Sequence, residues 1–202
     1  MICTKTDELE EFMKSHLKPS RYTHSLGVEV MAERLAAIHG ADVEKAAFAG
    51  RYHDIAKCFT QDEMNESVRK YGLPEMYIDN NPLAHSKVAA EILKDEFGVT
   101  DEDVLNAVRS HTTGRDGMSL LEEIVYVADA IEDNRSYEGL AELQAQAAAD
   151  LDGACLFIMD WTLESLKKKG REPDKDTIEA RDYILRRING QQRSCTDYRR
   201  HS

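Results

Sequence analysis

The segment RYTHSLGVEVMAERLAAIH, residues 21–39, carries apolar residues at Val28, Met31, Leu35 and Ile38, the three-and-four spacing of one helix face. One turn before Val28 that face carries His24, a polar residue on the core side of the helix. The same pairing of an apolar stripe with an ionisable residue recurs along the chain. His53 and Asp54 lie in line with Val43, Ala46, Ala47 and Gly50, His85 with Ala89 and Ile92, His111 with Val104 and Val108, and Asp129 with Leu121 and Val125. All six are predicted to point inward. A lone histidine on such a face is most often a satisfied core residue, but six together form a set.

Helical spacing runs almost throughout, with Gly, Pro, Asn and Ser clusters between the blocks, and the fold class is therefore all-α: a bundle of eight or nine helices with no strand. The predicted helices are Asp7 to His16, Arg21 to His39, Val43 to Cys58, Gln61 to Tyr71, Pro82 to Phe97, Asp101 to Thr112, Ser119 to Ile131, Gly139 to Lys169 with a break near Asp150, and Asp174 to Ile188. Residues 1–188 form one domain, and the polar residues 189–202 are expected to be a mobile tail. His16, His39 and His201 sit at breaks or in that tail and are read as solvated.

The 202 residues are 42% hydrophobic and 32% charged, with 11 Gly and 4 Pro, enough chain and apolar content to bury a core without cross-links. The net charge of −12 argues against a protein that holds nucleic acid through its phosphates, which requires a basic face. Cys3, Cys58, Cys155 and Cys195 fall in no CxxC pair and are read as reduced thiols. The acidic start MICTKTDELEEF has no apolar signal core, and no stretch reaches the length of a membrane helix. These features predict a cytoplasmic protein with no membrane partner.

Burying two carboxylates and four imidazoles together costs several kcal/mol per charge unless a cation compensates. A divalent metal is the economical solution, held by His24, His53, Asp54, His85, His111 and Asp129. Histidine and carboxylate without thiolate suit Fe, Mn, Co, Ni or Zn with open positions, which points to a catalytic site. Six ligands exceed what one working ion takes, so two ions about 3.5–4 Å apart are expected, with Asp54 as their bridge. His24, His53 and Asp129 then complete the first site and His85 and His111 the second, and a metal-bound hydroxide would attack phosphorus. Lys57, one turn after His53-Asp54, follows on the same face. The segment His111-Thr112-Thr113-Gly114-Arg115 reads as a phosphate clamp and Arg135 as a second one, while Arg21, one turn before His24, reads as a group that orients a ligand.

The blocks RYTHSLGVEVMAERLA, HDIAK, LAHSKVAAEIL, VRSHTTGRDGMSLLEEIVYVADAIEDNR and TIEARDYIL resemble the bacterial YqeK family of HD-domain phosphohydrolases over about residues 10 to 188. That resemblance implies an iron-dependent, symmetrical bis(5'-nucleosyl)-tetraphosphatase that splits diadenosine tetraphosphate into two ADP. By position it implies metal ligands at His24, His53, Asp54, His85, His111 and Asp129, catalytic roles for Asp54 and Lys57, and substrate contacts at Lys57, Thr113, Gly114, Arg115 and Arg135. The expected partners are the nucleotide and its nucleoside diphosphate product, with the chain a monomer or homodimer. The block Thr177 to Arg181 is expected to pack on the nucleotide side of the cleft. Arg51-Tyr52, Ser86, Asp133 and Asp182 depart from the family pattern, and Asp133 brings a negative charge toward the expected phosphate site. Two alternatives remain from the residues alone: hydrolysis of another nucleotide, such as a deoxynucleotide, a nucleoside monophosphate or a guanosine alarmone, and a metal-bearing nucleotide-binding regulator without turnover.

Overall fold

Local capping sets most of the helix boundaries in the computed structural model, which describes residues 2–200, with side chains for 2–190. Helix α1 spans Thr6–His16 and α2 Pro19–His39, which stops at Gly40 in the left-handed conformation. Helix α3 (Val43–Tyr52) starts where the Asp42 carboxylate accepts from the Lys45 amide, and α4 (Gln61–Lys70) starts at a reciprocal Thr60–Glu63 capping box. A single 3-10 turn, Glu75–Tyr77, precedes α5 (Asn81–Asp95). Asp101 caps α6 (Glu102–Ser110), and Ser119 with Glu122 forms a second capping box at α7 (Leu120–Ile131). Helices α8 (Leu140–Ala149), α9 (Leu151–Lys168) and α10 (Lys175–Arg200) complete the fold.

Among the described residues there are ten α-helices and no strand, in agreement with the all-α expectation. Helix α2 is central, packed on α3, α7 and α8, while α6 lies between α5, α3 and α7, and α9 rests on α7, α8 and α10. Val28, Met31, Ala32 and Leu35 of α2 are fully buried, as the stripe predicts. Ile38 and Val43 are not, being 50% and 40% exposed near helix ends that the core does not cover. Close approach of α2 and α3 depends on Gly50: a Cβ there would stand 3.0 Å from the Val28 carbonyl and 3.1 Å from the Ala32 Cβ. Helix α3, which leads into His53, therefore lies directly against the helix bearing His24.

Two helix ends differ from the sequence expectation, and the expected break near Asp150 is found. Helix α3 ends at Tyr52, so His53-Asp54 lies beyond it in a run of turns, with bonds from Lys57 N to the Asp54 carbonyl (2.8 Å) and Phe59 N to the Ala56 carbonyl (3.2 Å). Buried Ile55 and Ala56 sustain the apolar pattern past the helix end, which is why spacing alone extends it to Cys58. The break near Asp150 is a full separation into α8 and α9, with Asp150 in extended backbone and its carboxylate accepting from the Gly153 amide. Helix α10 runs beyond Ile188, where the sequence reading ends the last helix, to Arg200.

His39 is also more than solvated, since its Nε2 lies 2.7 Å from the Ala147 carbonyl; His16 stacks on Phe12 with ring centroids 3.9 Å apart, and His201 lies outside the described residues. Cys3, Cys58 and Cys155 form no disulfide, and the Cys195 side chain lies outside those described. Among the described residues no helix is long and apolar enough to cross a membrane.

Helix α10 is fastened to the body by Arg187, which donates to buried Glu123 of α7 (2.6 Å) and to Asp152 of α9. Burial pushes the Glu123 carboxyl above its ordinary range, and Arg187 opposes that shift. A carboxyl with a raised folded pKa favours folding at low pH and loses that contribution as pH rises through it. Arg187→Met raises it further and leaves the Glu123 carboxylate uncompensated, an expected cost of about 3 kcal/mol at pH 7. The cost should shrink by pH 4, where Glu123 takes up its proton; urea unfolding at the two pH values measures both.

Candidate metal centre

Each of the four inward histidines has one ring nitrogen occupied by the chain itself. Nδ1 of His53 lies 2.7 Å from the Gly50 carbonyl, Nδ1 of His85 3.1 Å from Asn81 O, and Nδ1 of His111 2.7 Å from Val108 O. A carbonyl only accepts, so these three rings carry their proton on Nδ1 and present Nε2 as a lone pair. His24 follows the same logic through a carboxylate, its Nδ1 lying 3.1 Å from Glu132 Oε1. Glu132 is buried and fixed by the Asn134 backbone amide (2.7 Å) and side-chain amide (2.9 Å). Gly27, one helical step past His24, makes room for it, because a Cβ there would collide with the Glu132 carboxylate.

The free Nε2 atoms converge on two carboxylates. His24 Nε2 lies 2.9 Å from Asp129 Oδ1, and His53 Nε2 lies 3.7 Å from Asp129 Oδ1 and 3.4 Å from Asp54 Oδ2. Asp54 Oδ1 faces His85 Nε2 at 3.2 Å and His111 Nε2 at 3.4 Å, and those two nitrogens are 3.1 Å apart. Lone pairs that face one another at such distances repel unless a cation or proton lies between them. His24 Nε2, His53 Nε2 and Asp54 Oδ1 are buried with no hydrogen-bond partner. A divalent cation satisfies all three, and two overlapping triads, His24–His53–Asp129 and His53–Asp54–His111, have the compactness to hold one.

The structure thus brings together all six sequence-read ligands, with one change of arrangement. His53 stands in both triads, whereas the sequence reading assigned it to one ion and made Asp54 the shared residue. Asp54 still divides its oxygens, Oδ2 toward His53 and Arg21 (Nη1 at 2.8 Å) and Oδ1 toward His85 and His111. Burial opposes ionisation of Asp54, but His53 and the other rings hold its carboxyl well below the usual range. Burial likewise pushes the His111 imidazole down to about 4, which keeps it neutral and available as a donor.

Beside the cage lies a cleft of about 260 Å³ lined by Lys57, His111, Thr112, Asp129 and Arg135 on one side and by Tyr126, Tyr137, Ile158, Trp161 and Thr162 on the other. Lys57 Nζ donates to His85 Nε2 (2.9 Å) and stands 3.8 Å from Asp54 Oδ1. Its position past α3 keeps the expected relation to Asp54, since residues three apart eclipse in i→i+3 turns. Arg135 binds both the carbonyl (2.7 Å) and Oδ1 (2.9 Å) of Asp129 through Nη2.

The clamp read in residues 111–115 is rearranged. Thr112, not Thr113, reaches the cage, its hydroxyl 3.1 Å from His85 Nε2, while the buried Thr113 hydroxyl donates to the Gly114 carbonyl (2.9 Å). Gly114 adopts φ 67° and is packed so closely on Ala180, Met159 and Met118 that it offers no open backbone to a ligand. Arg115 is not among the cleft-lining side chains; it forms a bidentate pair with buried Glu122 (2.6 and 2.7 Å) and so braces the start of α7. Asp133 is drawn toward Arg34 (3.3 Å) and Gln144 (3.0 Å) on the surface. Sequence reasoning missed Glu132 and the aromatic wall of Tyr137 and Trp161, and it did not separate Thr112 from Thr113 within the clamp. Gly27, which interrupts the apolar side of α2, was the available signal for Glu132.

Comparison with known proteins matches residues 21–134 to the HD domain family. The chain is 39% identical over 176 residues to the symmetrical bis(5'-nucleosyl)-tetraphosphatase of Halalkalibacterium halodurans, covering 87% of this chain and 94% of that protein. It is 39% identical over 174 residues to the protein of the same name from Bacillus subtilis, covering 86% and 94%. Its fold matches the crystal structure of a predicted HD superfamily hydrolase involved in NAD metabolism from Clostridium acetobutylicum, with TM-score 0.86, 41% identity, and coverage of 92% and 99%.

The Glu132 contact gives a test independent of turnover. Glu132→Gln keeps an acceptor for His24 Nδ1 but removes the charge that orients and polarises the ring, and is expected to weaken divalent-metal affinity about 10-fold or more. Competition against a chromophoric chelator measures it. An unchanged affinity would detach Glu132 from the centre.

Proposed function

The chain belongs to the HD-domain family, alongside the symmetrical bis(5'-nucleosyl)-tetraphosphatases, and from that premise we propose that it hydrolyses diadenosine tetraphosphate and related dinucleoside tetraphosphates into two nucleoside diphosphates. The observation that supports this most directly is the facing of lone pairs in the buried cage next to a cleft that carries Lys57 and Arg135. His24, His53, Asp54, His85, His111 and Asp129 hold the metal. The donor set of imidazole and carboxylate suits iron, with Mn, Co, Ni or Zn as substitutes. When bound, the metal supplies Lewis acidity toward a phosphoryl oxygen and lowers the pKa of water.

The protein's own groups do the remaining work. Asp54 and Asp129 set the negative charge of the cage, and Arg21 and Arg135 hold the two carboxylates in position. Lys57, one-third exposed at the edge of the cage, and the Thr112 hydroxyl meet the phosphate chain from the cleft. Thr113, Gly114 and Arg115 act on the substrate indirectly, by fixing the turn that presents His111 and Thr112. In the reaction the oxygen of one water bonds to an inner phosphorus, the central P–O–P bridge breaks, and ADP departs on each side. Positive charge from Lys57 offsets the charge that grows on the bridging oxygen, and ADP is a good enough leaving group that a dedicated proton donor is unnecessary. The unpaired Cys3, Cys58 and Cys155 support a reducing, cytoplasmic setting.

Incubation of metal-loaded protein with diadenosine tetraphosphate is expected to give ADP as the sole nucleotide product by chromatography. ATP with AMP would refute symmetrical cleavage, and preferential turnover of another nucleotide in a parallel panel would replace the substrate. Lys57→Ala should lower kcat/KM by about 100-fold, in the range of a lost electrostatic contact to the reacting group. Anaerobically purified protein is expected to carry iron near two ions per chain and His85→Ala near one; one ion in both would rule out a second metal site.

A further inference from the structure

Trp161 is the single tryptophan of the chain, and it is 58% exposed on α9 although its ring is stacked on Tyr137 (centroids 6.1 Å apart, 27° between planes). One turn before it on the same face, Phe157 is 54% exposed, and Ile178 of α10 adds a third exposed apolar side chain. Trp161 lines the cleft beside the cage on one side, and on the other it lines a groove of about 640 Å³ between α9 and α10 that also contains Phe157, Leu163, Lys167 and Arg181. The two depressions thus share one indole ring as a wall.

The chemistry of the two differs in a way that selects their occupants. The cleft holds Lys57 and Arg135 next to the metal ligands, groups suited to phosphate. The groove is apolar with balanced charges, Asp160 and Glu164 against Lys167 and Arg181, and Arg181 is already paired with Asp160 at 2.7 Å. Its carboxylates repel phosphate but accept hydrogen bonds from ribose hydroxyls or an exocyclic amine, while exposed aromatic faces stack on bases. The cleft alone is smaller than an ordinary ligand pocket of about 300–1,000 Å³. Hydrolysis at the central bridge requires a nucleoside on each side of the reacting phosphorus, so one of the two must lie outside it.

We propose that the α9–α10 groove is the subsite for the second nucleoside of the dinucleotide, with Trp161 as the wall between the two nucleosides and Phe157 as the platform of the outer one. This rests on the dinucleoside tetraphosphatase reading above and assigns where the outer half binds. Phe157 is a specificity residue that touches the far base and nothing at the reacting bond.

Phe157→Ser, a change at an exposed position, separates the groove from the cage. Adenosine 5'-tetraphosphate carries the same four phosphates with one nucleoside and serves as the reference substrate. The variant is expected to lose about tenfold in the preference, by kcat/KM, for diadenosine tetraphosphate over adenosine tetraphosphate, mainly through KM. Calorimetric titration with ADP should give two sites per chain in the wild-type metal-loaded protein and one in Phe157→Ser. Equal loss on both substrates, an unchanged preference, or a single ADP site in the wild type would overturn the proposal. So would sedimentation that shows wild-type dimers which Phe157→Ser dissociates without altering the substrate preference, since a second copy would then cover the groove. If wild-type protein cleaves neither substrate, the function reading fails by itself, and quenching of Trp161 fluorescence by ADP that is lost in Phe157→Ser still reports the groove.

Discussion

Everything in this molecule is arranged around a set of electron-pair donors that have no reason to meet without a cation. Four imidazole Nε2 atoms and the oxygens of Asp54 and Asp129 approach to about 3 Å in a buried site, and three of those atoms have no hydrogen-bond partner. Burying an unpaired carboxylate costs several kcal/mol, and facing lone pairs add to that cost. Arg21, Lys57 and Arg135 offset part of it from the rim. The remainder is a stored affinity for a metal, held in place by helices whose own stability is supplied elsewhere.

That division of labour is visible in the backbone. The residues that aim the donors are carbonyls at helix ends: Gly50 O behind His53 and Val108 O behind His111, both at the last turn, where carbonyls lack intrahelical partners. Ending α3 and α6 at the cage therefore satisfies two orphan acceptors and fixes two tautomers at once. Close helix packing does the rest, since Gly50 lets α3 lie on α2 and Gly27 leaves space on α2 for Glu132 behind His24. The capping box at Thr60, by contrast, serves its own helix, while Glu122 of the box at Ser119 also holds Arg115.

The helices and the six inward residues were legible because burial leaves a periodic trace, and an ionisable residue in phase with that trace is conspicuous. Contacts made across the fold leave none. Arg115 beside a histidine looks like a phosphate clamp in sequence, yet its partner is Glu122 seven residues later, which a single strand of letters pairs with Ser119 as a cap. Thr112 and Thr113 are equivalent by composition, and only the turn at Gly114 decides which hydroxyl meets His85. Helix α3 was overextended for a similar reason: Ile55 and Ala56 are buried, but in a tighter winding that apolar spacing does not distinguish from α-helix over one turn. The Trp161 wall was silent because an exposed aromatic on a helix gives no phase signal at all.

The charge balance bears on how a polyanion reaches such a site. A chain with net charge −12 repels a tetraphosphate at long range, but at physiological ionic strength that repulsion is screened beyond about 8 Å. Within that distance the cleft presents Lys57 and Arg135, and the carboxylates of the cage, Asp54 and Asp129, are engaged by histidines and an arginine. An acidic surface and a locally basic mouth are therefore compatible, and they favour a ligand that carries its negative charge in one compact stretch. A short phosphate chain flanked by neutral nucleosides places charge only where the cations are, with the nucleosides left to the aromatic and apolar walls.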